Sequence, residues 1–164
     1  MSDAAPQPGA GDPVGAASGP STAPLDPFAG VEPPGGWASA SLRIASETLG
    51  RDAISDLLGL RSTTSRTSEG EPSFTVWVLE SGLEPAASVA DHLYILVERL
   101  RDRADAVRTI CETATVEVWL SFSPGATNAT SVLDHGLLAE LGSLGVDLVL
   151  EPYAPVVRRA ERPV

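Results

Sequence analysis

The sequence predicts an α+β fold. It reads as a two-layer sandwich in which a four-stranded, mixed or mostly antiparallel sheet carries helices on one face, in the order β-α-β-αα-β-α-β. Three observations predict it. Between Trp37 and Tyr153, segments apolar at every second position take turns with segments apolar at spacings of three and four. The strand segments alternate, whereas a fully parallel sheet covered on both sides calls for near-continuous apolar strands. Clusters of Gly, Pro, Ser and Thr punctuate the joins.

Residues 38–45 are a half-buried strand, with Ala40, Leu42 and Ile44 on one side and Ser39, Ser41 and Arg43 on the other. Residues 51–59 follow as a helix with Ala53, Ile54, Leu57 and Leu58 on its stripe. Gly59 suits the left-handed stop, and Leu60 is the apolar residue of a Schellman-type end. Residues 61–72 are polar and rich in Ser and Thr, which predicts a mobile loop. Residues 74–79 form the second strand, with Phe74, Val76 and Val78 expected to face the helices and Thr75, Trp77 and Leu79 expected to face out. Ser88 and Asp91 have the spacing of a capping box in its Asp variant. They open a helix whose stripe is Val89, Leu93, Leu96, Val97 and Leu100, and a shorter helix continues through Glu112. Residues 115–122 are the clearest strand, with Val116, Val118, Leu120 and Phe122 against Glu117, Trp119 and Ser121. Leu137, Leu138, Leu141 and Leu144 define the last helix, Gly145 stops it, and residues 146–150 close the sheet. Burying about 25 large apolar side chains at roughly 1.5–3 kcal/mol each supplies ample gross drive for one core without metal or disulfide.

The chain has 164 residues, room for one ordinary domain and a tail. Acidic residues number 22 and basic ones 11, for a net charge of −11; every basic residue is arginine, which reads as the codon bias of a GC-rich bacterial genome. An acidic domain is repelled by phosphate backbones and anionic lipid, so neither nucleic acid nor membrane is an expected partner, and basic proteins are favoured. Residues 1–36 hold eight of the 14 prolines and seven of the 15 glycines, with few large apolar residues. Such a segment cannot offset its ordering entropy and is expected to be a disordered tail; a short binding motif from Leu25 to Phe28 is the alternative. Residues 154–164 read as a short flexible end carrying Arg158, Arg159 and Arg162. Neither a secretory leader nor an apolar run of about 20 residues is visible, which points to the cytoplasm.

The ordered part resembles a known family. Ser41-Leu42-Arg43-Ile44 is followed by Ile54-x-x-Leu57-Leu58-Gly59-Leu60, by Gly70 in a polar loop and by Trp77-x-Leu79-x-Ser81. Leu93-x-x-Leu96-x-x-x-Leu100 then precedes Val116-x-Val118, and Leu138-x-x-Leu141-x-x-Leu144-Gly145 leads to Leu148 and Tyr153. Over residues 38–153 this pattern resembles the bacterial domain of unknown function DUF4279. The resemblance implies a small cytoplasmic αβ domain with no catalytic residues to carry over. It also implies a lean toward protein binding, since some relatives sit among toxin-immunity genes.

No nucleophile elbow, phosphate loop or dinucleotide fingerprint is present, so no catalytic residue and no cofactor is assigned. The single cysteine, Cys111, reads as a buried, inert thiol. His92 is expected to be a solvated imidazole on a helix face, and His135 to lie beside the Asp134 cap; neither has a partner at metal-ligand spacing, so no metal is assigned. Acidic residues near helix ends (Glu47, Asp52, Asp56, Asp102, Asp105) are expected to serve helix dipoles and solubility.

The sharper candidate is the sheet face opposite the helices, where Arg43, Trp77, Leu79, Glu117 and Trp119 are expected to point outward together. Exposed apolar area tends to mark interfaces, and Trp and Arg are enriched among hot spots. A protein partner of basic character or a second copy of the chain would use that face. Coverage by the segment near Phe28 or by the C-terminal end, and a small-molecule platform, are the competing readings. A weaker candidate is the loop of residues 61–70, where Arg61 and Arg66 among hydroxyls suit a carboxylate or phosphate ligand, as a small-molecule-binding domain or an enzyme would require.

Overall fold

A computed structural model of the chain describes residues 36–68, 73–124 and 131–154. At its centre is β1 (Trp37–Ser46), whose inward residues Ala38, Ala40, Leu42 and Ile44 are all buried. It pairs antiparallel with β3 (Phe74–Glu80) on one side and with β4 (Thr115–Ser123) on the other. β2 (Thr64–Ser68) extends the sheet antiparallel beyond β3, and β5 (Asp147–Pro152) extends it parallel beyond β4, giving the order β2-β3-β1-β4-β5. The fold is thus α+β with one mixed sheet. α1 (Arg51–Leu58), α2 (Val89–Arg101), α3 (Ala104–Cys111) and α4 (His135–Leu144) complete the order. The helices and one sheet face meet in a single core that includes Leu42, Ile44, Ile54, Trp77, Leu93, Val118 and Leu137.

The helix ends form as their residues dictate. Gly59 adopts a left-handed φ of 63°, its N–H donates to the Asp56 carbonyl, and the Leu60 N–H reaches back to the Ser55 carbonyl. Ser88 caps α2 by accepting from the Asp91 N–H at 3.1 Å, while the Asp91 carboxylate accepts from the Ser88 N–H at 3.3 Å. Asp134 caps α4 by accepting from the N–H groups of Gly136 and Leu137 at 2.8 and 3.0 Å.

Four expectations are corrected. The sheet has five strands, not four: Thr64–Ser68, within the segment expected to be a mobile loop, is paired with β3. An edge strand bonded on one side and wet on both faces leaves no hydrophobic alternation to detect, and β2 has no buried residue. The phase of β3 is inverted. Ile44 lies opposite Trp77 and Leu42 opposite Leu79, so Trp77 (0 % exposed) and Leu79 (6 %) face the helices. Phe74, Val76 and Val78 take the other face. Trp77 gains more than burial, because its indole N–H donates to the Ser55 hydroxyl on α1 at 3.0 Å. His92 is buried rather than solvated, 1 % exposed, with Nδ1 at 2.6 Å from the equally buried Ser81 hydroxyl. Cys111 is only half-buried, packed against the core's edge, and that burial pushes its thiol pKa up. The expectations for the Pro/Gly-rich residues 1–35 with the Leu25 to Phe28 motif, for the loop positions 69–72 and for residues 155–164 lie outside the described residues.

Candidate interaction face

Alternation sends every second residue of each strand to the face that the helices leave uncovered, and cross-strand register turns those residues into rows. One row runs Val78, Arg43, Glu117, Asp147; the next Glu80, Ser41, Trp119, Val149; the next Ser39, Ser121, Glu151. Beyond them Trp37 lies opposite Ser123. Arg66, on β2, is in register with Val76 and therefore joins the outer part of this face.

The centre of the face is a preorganised cation–aromatic pair. The Arg43 guanidinium carbon sits 4.2 Å from the centroid of the Trp119 ring. The pair is held from both ends: Arg43 Nε–H donates to the Ser41 hydroxyl at 3.2 Å, and the Trp119 indole N–H donates to Glu117 Oε2 at 2.7 Å. One row away, the Ser121 hydroxyl donates to Glu151 Oε2 at 2.8 Å. At the end of β5 the Tyr153 ring packs against Trp37, centroids 5.1 Å apart and planes tilted by 48°. Burial holds the Arg43 guanidinium below its ordinary pKa, while Glu151, Tyr153, Glu117 and Glu80 push it back up. One half-buried cation thus has several carboxylates around it, yet among the described residues the ion pairs are Arg101–Glu140 and Arg108–Asp105, both remote from it.

Of the five residues expected on this face, the structure brings together Arg43, Glu117 and Trp119 and removes Trp77 and Leu79 to the core. Sequence reasoning set Ser121 on the same side as Glu117 and Trp119 but missed Trp37, Glu151 and Tyr153. The signal was available for one of them, since extending the β1 alternation back from Ser39 reaches Trp37. Arg61 and Arg66 are not brought into one site. Arg61 lines an open depression of about 650 Å³ beside α1 with Arg51, Asp52, Ser55 and Asp56, and Arg66 is exposed on β2. The two aspartates in that depression offset the two arginines, which leaves no net pull on an anion.

Among the described residues, no group of three or more His, Cys, Asp or Glu side chains is arranged to hold a metal ion, and no helix is long and apolar enough to cross a membrane. Helices on one face of a mixed five-stranded sheet, with an aromatic and charged opposite face, define a small α+β domain. The chain belongs to the DUF4279 family, a domain of unknown function, whose model matches residues 37–155. Comparison with curated proteins and with solved structures finds no match.

Proposed function

We propose that the chain is a cytoplasmic, non-enzymatic protein-interaction module that binds its partner through the sheet face centred on Arg43 and Trp119. The observation that carries this reading is the Arg43–Trp119 stack itself, fixed by Ser41 and Glu117 on a face the helices leave uncovered. Arg and Trp contribute most to binding when they are rigid before contact, because less side-chain entropy is lost on association. Their neighbours Glu117, Glu80, Asp147 and Glu151 give the face an acidic character that suits a basic protein. Neutralisation of such a partner by occlusion, as an immunity-type protein would do it, is the form of interaction the family resemblance implies.

The test is capture from the lysate of the source organism with the full chain beside its Trp119→Ala variant, after the two show matching thermal melts. A protein retained by the wild type and lost by the variant supports the reading. Identical captured sets from both baits contradict it.

A further inference from the structure

Away from the interaction face, the core seals in a titratable side chain that the fold leaves half satisfied. His92 Nδ1 lies 2.6 Å from the Ser81 hydroxyl, and both residues are almost wholly buried. The other ring nitrogen, Nε2, is buried without a hydrogen-bond partner among the described residues. A neutral imidazole fits this setting, with Nδ1 accepting from Ser81 and the proton on Nε2. An imidazolium does not, because its charge and its second N–H would be buried unpaired. Among the described residues no carboxylate forms an ion pair with the ring. On its own helix Asp91 is taken up by the Ser88 N–H and hydroxyl, and Arg99 donates to the Glu80 carbonyl at 2.9 Å. The segment before α2 brings Glu84, which acts through its backbone carbonyl. On α4, Asp134 and Glu140 accept from Tyr94 and Arg101, and on α3 Asp105 and Arg108 pair with each other. β1 and β4 turn only apolar side chains into this part of the core, among them Ala38, Ala40, Val118 and Leu120.

The segment joining β3 to α2 is built to move. It runs beside the start of β1 where β3 has ended: the Ser81 N–H donates to the Ala40 carbonyl and the Ala38 N–H to the Pro85 carbonyl, each at 2.8 Å. Gly82 turns it at a left-handed φ of 75°. Gly82, Leu83, Glu84 and Ala86 are exposed, so lifting the segment forfeits little burial. We propose that residues 81–87 are an acid-released flap: protonation of His92 draws water beneath them and frees the β1 backbone at Ala38 and Ala40. Opening gives the imidazolium the water that Nε2 lacks, while Leu93, Leu96, Val97 and Leu100 keep α2 docked on the core. The freed Ala38 N–H and Ala40 carbonyl form a short open edge at one end of the sheet. Arg43 and Trp119 lie outside this opening, so the flap stands whether or not their face binds a partner.

The experiment is amide hydrogen exchange of the full chain, read by NMR at about pH 7.5 and about pH 5.5 and corrected for intrinsic rates. The Ala38 and Ser81 amides report the flap, and the Leu42 amide, in the middle of β1, reports unfolding of the whole domain. In the open flap His92 returns to its ordinary value of 6.5. With the closed ring neutral throughout, opening then grows by about tenfold between the two pH values. The proposal expects Ala38 and Ser81 to be less protected than Leu42 at both, and to lose about tenfold on acidification. His92→Asn keeps an acceptor for the Ser81 hydroxyl but cannot titrate, so it should hold the two amides constant within about twofold. The wild-type comparison decides on its own if that variant does not fold. Protection of Ala38 and Ser81 equal to that of Leu42 overturns the flap, because these amides would then exchange only when the domain unfolds. Lower protection that is flat with pH, or a pH response that persists in His92→Asn, uncouples the segment from the ring and overturns it as well.

Discussion

Trp77 and Trp119 stand at outward-pointing positions in the same sequence pattern, yet they have opposite fates. Trp77 is fully buried and bonded to Ser55, whereas Trp119 lies half-buried under Arg43. Trp77→Ala removes a core side chain and leaves the Ser55 hydroxyl without its donor, so denaturant titration should show a loss of about 3–5 kcal/mol. Trp119→Ala should cost markedly less, and equal losses would contradict the assigned faces. Neither phase of β3 was legible because the strand is apolar on both sides: Phe74, Val76 and Val78 compete with Trp77 and Leu79, and only the register with β1 decides. β1 and β4, with serine and charge on one side, were legible residue by residue. His92 was misread as solvated although the signal was present, since it lies three residues after Val89 and four before Leu96, on the buried stripe of α2. Its imidazole is desolvated, which lowers its pKa below the ordinary 6.5 against the weaker opposing pull of the Glu84 carbonyl and Asp91. The folded state therefore holds His92 neutral while the unfolded chain takes up a proton as pH falls below 6.5. The contribution of His92 to stability is complete above that value and is lost progressively below it, down to the lowered folded pKa. Urea titrations at pH 7.5 and 5.5 should show that decline in the wild type and a flatter response in His92→Asn.

At the scale of elements, the helical layer is tied together by a residue that no motif announces. Arg103, in the break between α2 and α3, donates from Nε to the Leu58 carbonyl at 2.9 Å and from Nη1 to the Arg99 carbonyl at 2.8 Å. Both acceptors lie at helix C-termini, where carbonyls lack intrahelical partners and the helix dipole favours a cation. One guanidinium thereby caps α1 and α2 and sets the position of one against the other. Arg103→Ala should lower stability by about 1.5–3 kcal/mol, in the range for hydrogen bonds from charged donors. Arg103→Lys should recover only part of the loss, because an ammonium on a flexible stem does not reproduce the fork; full recovery would show that charge alone holds the two ends. The caps formed by Ser88 with Asp91 and by Asp134 were readable because they are local, three residues across. Arg103 was not, since its acceptor on α1 is 45 residues away in the chain. β2 was hidden for a different reason, as its pairing uses backbone groups and leaves no trace in its polar side chains.

Over the whole molecule the net charge of −11 and the Arg43–Trp119 pair act on different steps of the proposed encounter with a basic partner. Carboxylates far from the face, such as Glu98 on α2 and Asp105 on α3, cannot touch a partner seated on Trp119, but they add to the field that draws a cation in. That field reaches about 10 Å at 0.1 M salt and shortens as salt rises. Trp119 acts at contact and carries no charge for ions to screen. Stopped-flow fluorescence with a dansyl-labelled hexa-arginine peptide, standing in for the basic partner, separates the two. Raising salt from about 0.01 M to about 0.3 M should slow association by about tenfold or more and leave dissociation nearly unchanged. Trp119→Ala should do the reverse, speeding dissociation while association stays within about twofold. If Trp119→Ala left dissociation unchanged, the partner would not rest on the Arg43–Trp119 pair and the proposed face would lose its role. If salt acted on dissociation alone, the attraction would be confined to the contact, and the acidity of the rest of the chain would have no part in finding the partner.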